Sequence, residues 1–509
     1  MDFSFFQKQF KIYPDSINSI GTDICFMIDA GERDQLCIVG DSRRYPGERH
    51  SHDGNTYWLS ELDHDTAKFL RKHFSFCVPV PVLDRHSTFG VGDRLGLAGE
   101  GHLRVFKEYQ MMPVLAQQSV REMTLTHRTM DDVIDSATFS VFREGYRGGF
   151  GADGDHLKHL EEVREAIAHG YTMITLDCSD HIDNEAAILT DEEISARCEV
   201  DPELRERYLT HSFAVSAHTI LKYDLCTLRR IVAVYGNAIE FINKVYFDCI
   251  ASHASEVNFE ISIDETLTVT SPLDHFFVTN ELRLRGIRFS TIAPRFSGEF
   301  QKGIDYIGDH ETLRKEVRSH NDIARFFGYK LSIHSGSDKF SVFPIIGKET
   351  EGFFHVKTSG TSWLEALRVL AKCEPVLFKE IWDVAVTTFE ENRKNYHVTP
   401  DLSTIPDLND LSEKALCTLL DNAASRQVLH IAYGKILEDK GLKRRLYQAI
   451  RKHRWEYSEM LYHHIGRHAQ TLGVCHIGDL KLGEQHAPTR GEKTAGVGME
   501  CSLGMSQCI

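Results

Sequence analysis

Short apolar runs and charged stretches of helical period alternate along most of this chain. From about residue 84, apolar segments at 89–91, 113–116, 171–176, 257–263, 287–292, 329–333 and 352–356 are separated by charged or amphipathic passages. That rhythm predicts parallel strands feeding crossover helices. One complete unit stands at 156–176: Leu157, Leu160, Val163 and Ile167 stripe a helix over residues 156–168, Gly170 ends it, and the run from Tyr171 to Leu176 follows as a strand. Another helix begins at Ser362, directly after the polar exit at 358–361. Seven such strands, plus an eighth that the pattern does not locate, predict an α/β fold: a TIM-type (β/α)8 barrel.

The flanks read differently. Residues 1–80 mix short apolar runs with turn signals at Gly31, Gly40 and Gly54, which predicts a small α+β lead-in. The barrel core then spans 81–375, interrupted by a helical insertion at 185–252 whose length suits covering the barrel mouth or mediating assembly into a homo-oligomer. Residues 376–478 predict a helical extension packed on the barrel, with amphipathic segments at 426–437 and 442–461. The tail at 479–509 lacks apolar periodicity and reads as flexible.

Composition narrows the function. Hydrophobic residues make up 42% and charged residues 26% of 509, enough for a large globular core. A formal net charge of -16 argues against a broad nucleic-acid face. No stretch approaches the roughly 18 apolar residues of a membrane span, and the start, Met1-Asp2-Phe3-Ser4, lacks a signal-peptide pattern, so the expected location is cytoplasmic. Twelve cysteines without a CxxC pair predict reduced thiols and no structural zinc knot. The expected partner is a small molecule.

Candidate chemistry sits at the polar exits of the strands, where a barrel holds its active site. Asp180 and His181 follow the 171–176 strand, and Asp177 within it is placed to orient a ligand histidine or bind a substrate hydroxyl. His334 precedes the small turn Ser335-Gly336-Ser337, and His355 precedes Lys357 and Thr358. Three histidines on three strand ends predict one divalent ion, Zn, Mn, Co, Ni or Fe, held by His181, His334 and His355, with His310 in reserve. The bland alternative makes Ser179 or Asp180 a helix cap and His181 a surface residue.

From 257 to 266 the alternation is nearly ideal. Phe259, Ile261 and Ile263 take one face; Asn258, Glu260, Ser262 and Asp264 take the other. In a barrel that polar face looks inward, making Glu260 or Asp264 an acid/base candidate, unless the segment is a solvated edge strand. Arg295, Lys339 and Lys357 follow three successive strands and suit an anionic substrate. The glycine-rich stretch 145–155 lacks the Lys-Ser spacing of a phosphate loop, and no GxGxxG follows a strand, so no nucleotide cofactor is expected.

Taken together, residues 175–182 (TLDCSDHI), 259–266 (FEISIDET), 271–277 (SPLDHFF), 293–298 (APRFSG), 305–308 (DYIG) and 331–340 (LSIHSGSDKF) resemble the tagaturonate epimerase family of hexuronate catabolism. A more distant likeness is to metal-dependent class II aldolases, in which an Asp-His pair closes a barrel strand, a His-Gly-Gly-Ser-Gly segment binds metal and a strand carries a glutamate. Asp180-His181, His334-Ser335-Gly336-Ser337 and Glu260 look like those parts. The remaining aldolase histidine has no match, Arg295 standing near its place, and His355 is the substitute. The resemblance implies interconversion of two ketouronates, D-tagaturonate and D-fructuronate, by retro-aldol cleavage and recombination. Asp180 and Glu260 would then exchange the proton while Arg295, Lys339 or Lys357 holds the carboxylate. The alternatives to it are a class II-like uronate aldolase on the same fold, and a non-catalytic aldolase-like accessory or carbohydrate-binding protein.

Overall fold

The computed structural model describes residues 4–479 apart from 32, 42, 43 and 53; the tail expected at 479–509 lies outside them from residue 480. Eight strands are formed by β1 Ser87–Val91, β2 Met112–Ser119, β3 Gly151–Leu157, β4 Met173–Asp177, β5 Asn258–Ile263, β6 Thr291–Pro294, β7 Lys330–Ile333 and β8 Phe354–Thr358. Each pairs in parallel with the next, and β8 closes on β1 from Phe354↔Ser87 to Thr358↔Val91. The result is a closed (β/α)8 barrel. Phe259, Ile261 and Ile263 turn outward into the main apolar core, while Glu260 is fully buried among polar groups inside.

The strand missing from the hydrophobic pattern is β3, in the glycine-rich passage. The helix expected over 156–168 begins instead at Leu160, and residues 156 and 157 belong to β3. Its outward positions are small because the neighbouring layer is close: a Cβ on Gly154 would sit 2.9 Å from Leu157 Cδ1 and 3.1 Å from Ala166 Cβ. Between Gly154 and Leu157 the register against β4 slips, and His156 there adopts φ 54. The extra residue re-aims the strand end, as β-bulges beside active sites do. The strand expected at 287–292 is also shifted, to Thr291–Pro294. Gly286 (φ 78) ends the helix Pro272–Leu284, and the Ile287 amide closes back on Leu282 O at 3.0 Å, so the chain leaves the cap late.

Six antiparallel strands precede the barrel, from Lys11–Ile12 to Asn55–Glu61, and the helix His64–His73 packs Leu70 with Met27, Ile38 and Trp58. Between β4 and β5 the chain runs through the helices Asn184–Ile188, Asp191–Arg197 and Pro202–Leu209, a hairpin of Ser212–Ala214 with Ile220–Lys222, and the long helix Leu225–Val245. After β8, the helix Thr361–Cys373 shares a second apolar core with the C-terminal helices, built on Trp363, Leu367, Phe378, Leu429 and Leu461. The two amphipathic segments expected there are each broken, at Ala432 and at His453, into separate helices. No described helix is long and apolar enough to cross a membrane.

Gly154→Val should overpack the contact between β3 and the helix Leu160–Ala168 and cost about 1–3 kcal/mol. Chemical denaturation measures it, and an unchanged midpoint would mean the helix does not press on this strand.

Candidate active site

The barrel interior is built around one ammonium group. Lys357 Nζ on β8 lies 2.7 Å from Asp153 Oδ2, 2.5 Å from Asp155 Oδ1 and 3.3 Å from Glu260 Oε1, and donates to Thr175 Oγ1 at 2.6 Å. Burial would discharge this amine, but the surrounding carboxylates hold its pKa well above that of an ordinary lysine. Burial pushes Asp153 up to about 6, opposed by Lys357. Glu260 is held well below the usual carboxylate range by Lys357 and His334, which overcome its burial.

Glu260 supports the floor of a cavity above it. It accepts from Thr291 Oγ1 at 2.6 Å and sits 2.7 Å from His334 Nε2, while His334 Nδ1 faces Asp264 Oδ1 at 3.2 Å. Burial disfavours a charged His334, yet Asp264 and Glu260 raise it to about 10. The same imidazolium, with Ser262 Oγ donating at 2.5 Å, drives Asp264 below the ordinary range despite burial. The cavity, of about 360 Å³, opens at the carboxyl ends of the strands. Asp155, His156, Asp177, Asp264, Glu265, His334 and Lys357 line it. A neighbouring cavity of about 390 Å³ shares His334, Asp264, Glu265, Arg121, Lys302 and Tyr396 with it and adds Arg295.

On one wall His156, Asp177 and Glu265 bring ligand atoms within 4.8 Å of one another. His156 Nδ1 is 3.4 Å from Asp177 Oδ2, and its ring meets that of His334 edge-on at 4.9 Å. Burial lowers the His156 pKa, but Asp155 and Asp177 outweigh it and leave a net rise. Asp177 is lowered by this histidine and by Ser179, against the effect of its burial.

The residues expected from the strand exits are dispersed. Asp177, Asp264, His334 and Lys357 reach the first cavity and Arg295 the second. Glu260 lies beneath His334 with its oxygens already bonded. Asp180 is exposed and bonded to Lys158 Nζ at 2.8 Å, and His181 stacks on Phe241 of the inserted helix at 3.9 Å. Both sit in the 3-10 turn Ser179–His181, which swings them off the strand end. His355 is buried lower in the barrel, its Nδ1 2.9 Å from Thr88 Oγ1, and burial brings it down to about 3. Lys339 donates to the carbonyls of Gln301, Ile304 and Ser337. His310 is exposed at the start of the helix His310–Phe327. Asp153, Asp155, His156, Lys158, Glu265 and Lys302 were not anticipated. The alternation of Asp153 and Asp155 along β3 was a usable signal for the first two, and Glu265 adjoins Asp264.

A closed parallel barrel whose carboxyl-end mouth gathers histidines, carboxylates and lysines defines an enzyme of the TIM-barrel class. Residues 13–472 match the tagaturonate epimerase family, and the chain belongs to it. The tagaturonate/fructuronate epimerase of Thermotoga maritima is 39% identical over 475 residues, covering 92% of this chain and 98% of that protein. A glycerol-complexed crystal structure of a fructuronate-tagaturonate epimerase from Cohnella laeviribosi matches at 43% identity and a TM-score of 0.89, over 93% of this chain and 98% of that one. The native structure of the Cohnella protein gives 42% and 0.89, over 93% and 99%.

Two outcomes test this electrostatic frame. Lys357→Met leaves Asp153, Asp155 and Glu260 without their shared cation and should destabilise the fold by roughly 3–5 kcal/mol in denaturant unfolding. In chelator-treated protein the His334 ring should titrate near 10 by NMR. Because its pKa is raised on folding, its stabilisation is complete below about pH 6.5 and is lost as pH rises through about 10. A ring that titrates near 6.5 would remove the proposed Asp264–His334 ion pair.

Proposed function

We propose that this protein interconverts D-tagaturonate and D-fructuronate in the cytoplasm, as a step of hexuronate catabolism, and that it does so at the mouth of the barrel with one divalent ion. The observation that carries this reading is the convergence of two sets of groups in one cavity: the donors His156, Asp177 and Glu265, and the paired Asp264 and His334. Family membership supplies the substrate class.

The donor set fits a metal of the Zn, Mn, Co, Ni or Fe type, one imidazole and two carboxylates within reach of a common point. A raised His156 pKa marks the same spot as one of surplus negative charge, which a divalent ion would neutralise. These three residues take the place of the His181, His334 and His355 set expected from the strand exits, of which His334 alone lines the cavity. When bound, such an ion supplies Lewis-acid polarisation of the substrate ketone.

The chain's own groups then handle the proton. The two ketouronates differ at a hydroxyl-bearing carbon one removed from the carbon adjacent to the carbonyl, so enolisation does not acidify its hydrogen. Asp264 takes the proton of that hydroxyl as the bond to the ketone-side neighbour breaks, and the electron pair passes to the ketone side. A three-carbon enediolate and a three-carbon aldehyde result. The aldehyde turns, the bond re-forms on its other face, and Asp264 returns the proton. His334, fixed from below by Glu260, orients Asp264 throughout.

NMR of tagaturonate incubated with the protein, with metal analysis of the same sample, should show fructuronate and bound metal. Asp264→Asn should lower kcat by roughly 10²–10⁴ with metal retained, whereas His156→Ala should lose the metal. A full metal complement in His156→Ala would sink the ligand set. Three-carbon products accumulating without epimer would identify an aldolase instead.

A further inference from the structure

Among the described residues, Lys302 is the one lysine or arginine lining the first cavity that is neither exposed nor ion-paired. Lys357 is enclosed by carboxylates, Arg94 is held by Glu122 at 2.7 Å, and Lys339 is saturated by three carbonyls. Lys302 lines both cavities, and its ammonium makes a single hydrogen bond, to Ser335 Oγ at 3.2 Å. Among the described residues no carboxylate lies within 4 Å of it; burial and the guanidinium groups of Arg121 and Arg94 lower its pKa, against the more distant carboxylates Glu122 and Glu265. An ammonium drawn from water without a bonded carboxylate is costly unless an anion completes it.

The backbone that carries Lys302 is fixed on both sides. The Gln301 backbone carbonyl accepts from Lys339 at 2.9 Å, and its side-chain Oε1 accepts from Gln427 Nε2 at 2.8 Å and from the Thr399 amide at 3.0 Å. Gly303 O accepts from Arg426 Nε at 2.7 Å, and Ile304 O from Lys339 at 2.6 Å. Anchoring the flanking peptides while leaving the ammonium incompletely paired is how a protein preorganises a binding group.

We propose that Lys302, flanked by Arg121, is the anchor for the substrate carboxylate and the residue that distinguishes uronates from neutral ketoses. This rests on the ketouronate reading above. It also gives Lys339 a different task from the one expected of it: it holds the loop and does not meet the ligand.

The test uses the metal-loaded full chain with tagaturonate as substrate and the neutral ketohexose D-tagatose as competitive inhibitor. Lys302→Met should raise KM for tagaturonate at least tenfold, lower kcat less than threefold and leave the tagatose inhibition constant within twofold. Lys302→Arg should recover most of the KM. Should the methionine variant fail to fold, Lys302→Gln carries the same comparison. Parallel weakening of tagaturonate and tagatose would overturn the assignment, as would a selective loss in Arg295→Met but not in Lys302→Met. A wild-type protein that neither turns over nor binds tagaturonate would overturn the functional reading itself and this inference with it.

Discussion

Everything at the barrel mouth is built on the buried ammonium of Lys357. A cation this deeply buried in a closed barrel is largely withdrawn from solvent, and its charge persists because Asp153, Asp155 and Glu260 converge on it from β3 and β5. Those carboxylates are equally dependent on the lysine. An apolar filling would give a barrel of comparable or greater stability, so the ion cluster is better explained by what it positions. Glu260 shares its Oε1 between Lys357 and His334, and His334 in turn faces Asp264. The chain of contacts from the barrel axis to the cavity is thus electrostatic at every step, and its outermost member is the group proposed to move a proton.

That dependence explains which parts of the site were legible in the sequence. The β5 strand was legible because Phe259, Ile261 and Ile263 must face helices while Glu260 faces the interior, which writes a period of two into the chain. The exits of β4, β7 and β8 were legible as polar ends of apolar runs. The β3 strand was not, since its outward side is Ala152 and Gly154 and its inward side Asp153; close packing against Ala166 removed the apolar signal. Direction after a strand end was also illegible. Ser179 N bonds Asp177 Oδ1, the turn tightens, and Asp180 and His181 leave the axis for Lys158 and Phe241. His355 has the inward parity of Lys357 but lies two residues earlier, a layer lower in the barrel. The family likeness survived these misplacements because it rested on whole segments, not on one side chain's direction.

The C-terminal extension is part of the site. Arg426 joins Asp338 Oδ2 at 2.7 Å to Gly303 O, coupling the β7 exit to the loop that bears Lys302. Asp338 Oδ1 also faces His464 Nε2 at 2.7 Å, and His468 Nε2 accepts the Asp338 amide at 3.1 Å. Asp338, His464 and His468 have the composition of a metal site. Two contacts argue for a fastener instead: the Arg426 guanidinium already supplies the countercharge, and the Nε2 lone pair of His468 is used by a backbone donor. The fastener draws the last helix, Arg454–Thr471, against the barrel, and Tyr396 from the same extension closes the wall beside Arg121.

Net charge and local charge act in opposite senses on an anionic substrate. At -16 the protein as a whole repels a uronate, but salt screens that repulsion over about 8 Å at physiological ionic strength. Within that distance the substrate meets particular groups and not the average. A mouth with only His156, Asp177, Asp264 and Glu265 would be strongly anionic, suited to a cation and hostile to a carboxylate. The carboxylates gather at the site proposed for the metal while Lys302, on the wall common to both cavities, is left without an ion pair, with Glu265 the charge that faces both. With an ion held by His156, Asp177 and Glu265, the ketone end of the substrate would lie toward those residues and its carboxylate toward Lys302, which would orient the molecule end to end before any bond is broken.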